Sequence, residues 1–173
     1  MDPRRTSSLR WLSAVVILVS CIGCDQATKA IAVRTLQDAA PQSYCGGLVR
    51  FEFAENPGGF LSLGADLPKP VRRAIFVAVG GGLMALVVGY LIAKRHASRA
   101  MFAALVLMLA GGIGNLIDRV ANDGLVTDFI NLGVGPLRTG IFNVADMALL
   151  FGAGIAVLLS LKADAGMAKT AAK

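Results

Sequence analysis

The chain has one histidine, three cysteines and one tryptophan among 173 residues, and only 16% of it is charged. Each scarcity excludes a class of protein. The single histidine, His96, sits in the basic stretch "KRHASR" away from the acids, so a Ser-His-Asp or Cys-His mechanism lacks its base. With no histidine and no suitable cysteine beside the acids, no metal centre or other cofactor is expected. Cys21 and Cys24 lie in one apolar run and Cys45 in a loop, which is not a disulfide framework. So few charges beside 55% hydrophobic residues are too apolar for a soluble domain of this length. The net charge of +6 comes without aromatic-basic interleaving, so nucleic acid is not an expected partner.

What the chain has in quantity is long apolar runs. They fall at about Trp11 to Ile31, Ala74 to Ala93, Ala100 to Ile117 and Ile141 to Leu161. Each is roughly the length a helix needs to cross about 30 Å of hydrocarbon. The expected fold is an all-α membrane protein of four transmembrane helices with a small extracytoplasmic β element. No linker or internal repeat divides it, so residues 1–173 read as a single membrane-embedded domain with outer loops at 33–73 and 118–140.

Orientation follows from basic residues, which are retained on the cytoplasmic side. Arg4, Arg5 and Arg10, then Lys94, Arg95 and Arg99, then Lys162, Lys169 and Lys173 lie in short segments on one side. Seven others are spread over the two much longer opposite loops, Arg72 and Arg73 among them beside the second helix. Both termini are therefore expected in the cytoplasm, with a secondary attraction of the basic flanks to anionic lipid.

The N-terminus has a basic start, an apolar middle and the tetrapeptide "LVSC", which looks like a lipoprotein cleavage box. Cutting there would separate Asp25 and Lys29 from their helix, and three more spans follow, so the segment reads as the first span. Between the helices, "LVRFEFAEN" alternates as a half-exposed strand does, and "LVTDFINL" reads as a second extended piece ended by Gly133 to Pro136. The turn "NPGGF" follows the first strand.

The polar groups of the spans gather at one level. Asp25 and Lys29 are four apart, acid before base, as in a helical ion pair. Asn115, Asp118 and Arg119 share one face at the outer end of the third helix. Asn143 and Asp146 lie three apart near the outer end of the fourth, and Asp128 enters from the loop between them. Asp118 and Arg119 also fit a plain helix end with the two paired, and Asp25 with Lys29 a structural interfacial pair. Asp146 does not fit a plain role. An acid one to two turns inside a span, with no basic neighbour at helical spacing, is by default a functional group.

Paired carboxylates are the chemistry left. Two aspartates about 3 Å apart share one proton, so the charged member takes a proton from water while the protonated member polarises a carbonyl. Asp128 and Asp146 meet this requirement from separate segments. Asp146 alone would also suit a small four-helix proton-coupled transporter, although transporters place such sites at the midplane.

In order along the chain, "DQATK", "NPGGF", "GNLIDR", "VTDF" and "FNVAD" resemble the five motifs of the bacterial lipoprotein signal peptidases, also called signal peptidase II. The resemblance covers roughly Asp25 to Leu161. It implies a membrane-embedded aspartic endopeptidase of the inner membrane that cuts a prolipoprotein just before a diacylglyceryl-modified cysteine. Its partners would be that lipidated substrate and membrane phospholipid, and a monomer is expected. The resemblance makes Asp128 and Asp146 the catalytic pair. Asn56, Gly58, Asn115, Asp118, Arg119 and Asn143 would bind substrate or support the site, with Asp25 and Lys29 supporting the outer-side architecture. Many members read Asn-x-Gly-Ala-Ala-Phe, and "NPGGF" is one residue shorter between Gly58 and Phe60.

Overall fold

The computed structural model describes residues 3–58, 64, 66–93 and 98–171. His96 and the Gly59 and Phe60 of "NPGGF" lie outside the described residues. Four helices, α1 (Pro3–Leu36), α2 (Lys69–Ala93), α3 (Arg99–Ala121) and α4 (Val144–Ala171), carry segments long and apolar enough to cross a membrane. Each runs beyond the apolar block that marks it at one end or both. Hydropathy marks only the part suited to hydrocarbon, whereas backbone hydrogen bonding continues into the flanking polar turns. At the start of the fourth helix the difference is the opposite one. Ile141 to Asn143 are not helical, and the helix begins at Val144.

The bundle is inside out relative to a soluble domain. Val19, Leu86 and Leu150 are each about 70% exposed or close to it (68%, 71% and 72%), a large apolar surface that is stable only against lipid. Helix α3 touches the other three helices. Its small residues allow this: Gly111 packs so closely on α4 that an added Cβ would lie 2.3 Å from Ala145 O, and Gly112 faces Met84 of α2. At the other end of the bundle Phe102, Val106 and Leu109 of α3 close a core with Ala14 and Leu91, and the Trp11 ring meets Phe102 edge-on at 5.5 Å.

Four strands cap one end of the bundle: β1 (Gln42–Tyr44), β2 (Val49–Asn56), β3 (Val126–Val134) and β4 (Leu137–Arg138), antiparallel in that order. The alternation of "LVRFEFAEN" becomes β2, whose apolar residues Phe51 and Phe53 pack with Phe129 and Ile130 on Ala32 and Leu36 of α1. An irregularity between Phe51 and Ala54 resets the register so that Ala54 stands opposite Asp128 and Asn56 opposite Val126. The chain then returns to α4 through Phe142, whose carbonyl accepts from the N–H groups of Phe129 and Ile130 at 3.1 and 2.8 Å. This tether brings the start of α4 beside β3. Four sequence-distant segments, the later part of α1, the end of α3, β3 and the start of α4, therefore meet at the sheet end.

Candidate active site

Helix α4 starts with a reciprocal cap. Asn143 Oδ1 accepts the Asp146 N–H at 2.9 Å, and Asp146 Oδ2 accepts the Asn143 N–H at 3.2 Å, which satisfies two donors a helix start leaves open. Asp146 is thus a first-turn residue, not an acid one to two turns inside a span, because the non-helical tether through Phe142 delays the helix. That position also removes the observation on which the transporter alternative rested. The next N–H of the cap, that of Ala145, donates to Asp25 Oδ1 of α1 at 2.8 Å. Two carboxylates thus sit on the positive end of α4, where the helix dipole favours them.

Asp128 comes from β3 and is only 2% exposed. Asn143 Nδ2 donates to its Oδ1 at 2.7 Å and Asn56 Nδ2 to its Oδ2 at 3.0 Å. Asn115 Nδ2 donates to Asp146 Oδ1 at 2.7 Å. Every oxygen of the two aspartates therefore accepts an N–H from an asparagine, and Asn143 touches both acids. Burial pushes the Asp128 carboxyl up to about 7, the charge of Asp146 adds to this, and the Asn56 and Asn143 hydrogen bonds and the more distant Lys29 oppose it. Two acids held together, with one favouring its proton near neutrality, form an arrangement able to deliver and remove a proton at one reacting group.

Behind the two acids lies a buried ionic cluster. Lys29 Nζ is 2.9 Å from Asp25 Oδ2 and 3.0 Å from Asp118 Oδ2, and it donates to Asn115 Oδ1 at 3.0 Å. Asp25 and Lys29 are 1% and 4% exposed, so the ion pair they form is buried inside the protein. Asp118 also accepts the Thr127 N–H at 3.0 Å, fixing the strand residue next to Asp128. Gly114 makes room for the cluster, since a Cβ there would stand 2.7 Å from Asp25 Oδ2.

Of the two readings of Asp118 and Arg119, the plain one, in which they pair with each other, is not what forms among the described residues. Consecutive residues on a helix point about 100° apart, and Asp118 turns inward to Lys29 while Arg119 turns toward the loop after β2. There Arg119 Nη2 donates to Gly58 O at 3.0 Å and Nη1 to Asn115 O at 3.3 Å, with its guanidinium 5.1 Å from the Phe76 ring. Asn56 Oδ1 accepts the Gly58 N–H at 3.0 Å, so Asn56, Gly58 and Arg119 form one connected edge of the site. The Arg119 Nε is buried and has no hydrogen-bond partner among the described residues.

All ten residues singled out in the sequence meet in this network. Two others were missed. Gln26 Nε2 reaches Asp25 Oδ2, Asp118 Oδ1 and Gly114 O at 3.1, 3.0 and 3.2 Å, joining α1 to α3. Its place inside "DQATK", one residue after Asp25, was the available signal. Thr127 supplies backbone groups only, which no side-chain pattern reports.

Residues 17–162 match the family described as Signal peptidase (SPase) II. A lipoprotein signal peptidase of Leifsonia xyli subsp. xyli is 36% identical over 170 residues, covering 93% of this chain and 73% of its own length. Another, of Desulforapulum autotrophicum, is 33% identical over 153 residues, covering 88% of this chain and 90% of its own. A bacterial membrane enzyme solved by the in meso method superposes with a TM-score of 0.75 at 27% identity, over 87% of this chain and 88% of that one. The family match runs from within α1 to within α4 and so takes in every strand and every residue of the polar network. The chain belongs to the signal peptidase II family.

Proposed function

We propose that this protein is a membrane-embedded aspartic endopeptidase that removes the signal peptide from diacylglyceryl-modified prolipoproteins, with Asp128 and Asp146 as its catalytic pair. The observation that carries the assignment is Asn143, which donates to Asp128 Oδ1 at 2.7 Å while exchanging cap hydrogen bonds with Asp146. The ionised Asp146 takes a proton from water as the oxygen bonds to the scissile carbonyl carbon, and Asp128 gives its proton to the carbonyl oxygen. The gem-diol collapses as the C–N bond breaks. The leaving nitrogen takes the proton held by Asp146, and one hydroxyl returns its proton to Asp128, so both acids end as they began.

Arg119 holds the Asn56 to Gly58 edge and offers its free Nε to a substrate carbonyl or a lipid phosphate. The protein works as a single domain and a monomer in the bacterial inner membrane, with both termini cytoplasmic and the sheet on the periplasmic side. The substrate, itself a lipid-anchored helix, enters sideways from the bilayer, which puts its scissile bond at the depth of the two acids. The test is incubation of purified protein with a diacylglyceryl-modified prolipoprotein. Release of the signal peptide is expected, and the non-lipidated substrate is expected to stay intact. No release from the lipidated form would refute the assignment.

A further inference from the structure

The Lys29 ammonium has three protons and three acceptors: Asp25 Oδ2 at 2.9 Å, Asp118 Oδ2 at 3.0 Å and Asn115 Oδ1 at 3.0 Å. Two carboxylates already balance its charge, so neutralisation does not account for the third bond. An ammonium only donates, and it therefore dictates which end of the Asn115 amide faces it. Asn143 Nδ2, 3.1 Å from the same Asn115 oxygen, repeats the constraint. Its own amide is oriented by the Asp146 N–H, which donates to Asn143 Oδ1 at 2.9 Å. The Asn115 NH₂ is left facing Asp146 Oδ1 at 2.7 Å. Turned over, the amide would set N–H groups against an ammonium and its oxygen against a carboxylate.

We propose that Lys29 is a positioning residue for the reaction, acting through the Asn115 amide to hold Asp146 as the ionised, water-activating member of the pair. The proposal rests on Asp128 and Asp146 being the catalytic pair. A donor already aimed at Asp146 needs no reorientation when the proton moves, which is where preorganised groups gain over water. Asp146 also sits at the N-terminus of α4, where the dipole favours an anion, and accepts the Asn143 N–H at 3.2 Å. Asp128 is the strand member of the pair, held by the side-chain amides of Asn143 and Asn56, and the shared proton falls to it. The other charges around Asp146 are Arg119 on α3 and, beyond Lys29, Asp25 and Asp118. Lys29 itself touches no reacting atom.

The test uses the full-length protein with the diacylglyceryl-modified prolipoprotein and separates kcat from KM. Lys29→Gln is expected to lower kcat about 100-fold, the size of losing one aimed donor, with KM within about threefold. Lys29→Arg keeps an obligate donor toward Asn115 and is expected to recover most of that loss, which a role in packing alone would not predict. Lys29→Gln also leaves Asp25 and Asp118 buried without their cation, so it can fail to fold. Asn115→Asp then carries the reading, because it keeps an acceptor for Lys29 but has no N–H for Asp146, and the same fall in kcat is expected. Parent-like kcat in folded Lys29→Gln or in Asn115→Asp overturns the proposal, as does a loss carried by KM. Asp146→Asn is measured alongside. If it is inactive while Lys29→Gln is fully active, only the positioning role falls; if it is active, the catalytic pair itself falls.

Discussion

Asn143 Nδ2 lies 2.7 Å from Asp128 Oδ1, a contact between the last residue before α4 and the third residue of β3. The same side chain caps α4 through its oxygen. The turn that starts a membrane helix is thereby also the link between the two acids, and the two roles can be separated.

Asn143→Ser keeps a capping oxygen but loses the amide N–H to Asp128. Its thermal unfolding midpoint in detergent is expected near that of the parent, while prolipoprotein cleavage falls about 100-fold, as for loss of one aimed donor. Asn143→Ala loses both, and is expected to cost about 1 kcal/mol of stability in addition. Equal cleavage by Asn143→Ser and the parent would contradict the bridging role.

Asp128 sets the pH dependence. Its carboxyl is raised from its ordinary 3.8 to about 7, so between those values the folded protein keeps a proton that the unfolded chain has lost. Stability therefore falls as pH rises through that window, and kcat falls as pH rises through about 7, where the proton owed to the scissile carbonyl leaves. Unfolding midpoints at about pH 5 and 8 test this, because Asp128→Asn is expected to flatten the slope by removing the group that titrates.

Gly114→Ala probes how tightly α1, α3 and α4 meet. The new Cβ would stand 2.7 Å from Asp25 Oδ2 of α1 and 3.1 Å from Ala145 Cβ in the first turn of α4. A loss of about 1 to 3 kcal/mol is expected on thermal unfolding, as for overpacking, together with reduced cleavage. Gly154, with nothing within 4 Å of an added Cβ, is the control position and is expected to accept alanine without effect.

Orientation is testable by labelling from outside the cell. The Asp123 side chain is 89% exposed in the turn after α3, and it pairs with Arg73, itself partly exposed, at 3.1 Å. In a chain whose native cysteines are replaced, Asp123→Cys is expected to react with an impermeant thiol reagent and Ala97→Cys is not. The reverse pattern would put both acids in the cytoplasm.

The four spans were legible because apolar length alone reports them, and β2 because Val49 to Phe53 alternate. The polar cluster was legible as residues and much less so as pairs. Spacing along a helix groups Asp118 with Arg119, but Lys29 reaches Asp118 from another helix 89 positions away in sequence, and nothing local encodes that. The same holds for Asp25 capping α4 at Ala145. The depth of Asp146 was misjudged for a related reason. Ile141 and Phe142 are as apolar as the helix that follows, so hydropathy carries the span through them, whereas the Phe142 backbone bonds to β3 and delays the helix to Val144.

Cleavage of a diacylglyceryl-modified prolipoprotein by purified Asp128→Asn and Asp146→Asn, each shown to be folded and inserted, tests the catalytic pair most directly. Asparagine keeps the size of each side chain while removing its ability to ionise and to carry the shared proton, so each variant is expected to release no signal peptide above background. Substantial release by either one, with the parent active in the same assay, would contradict the account.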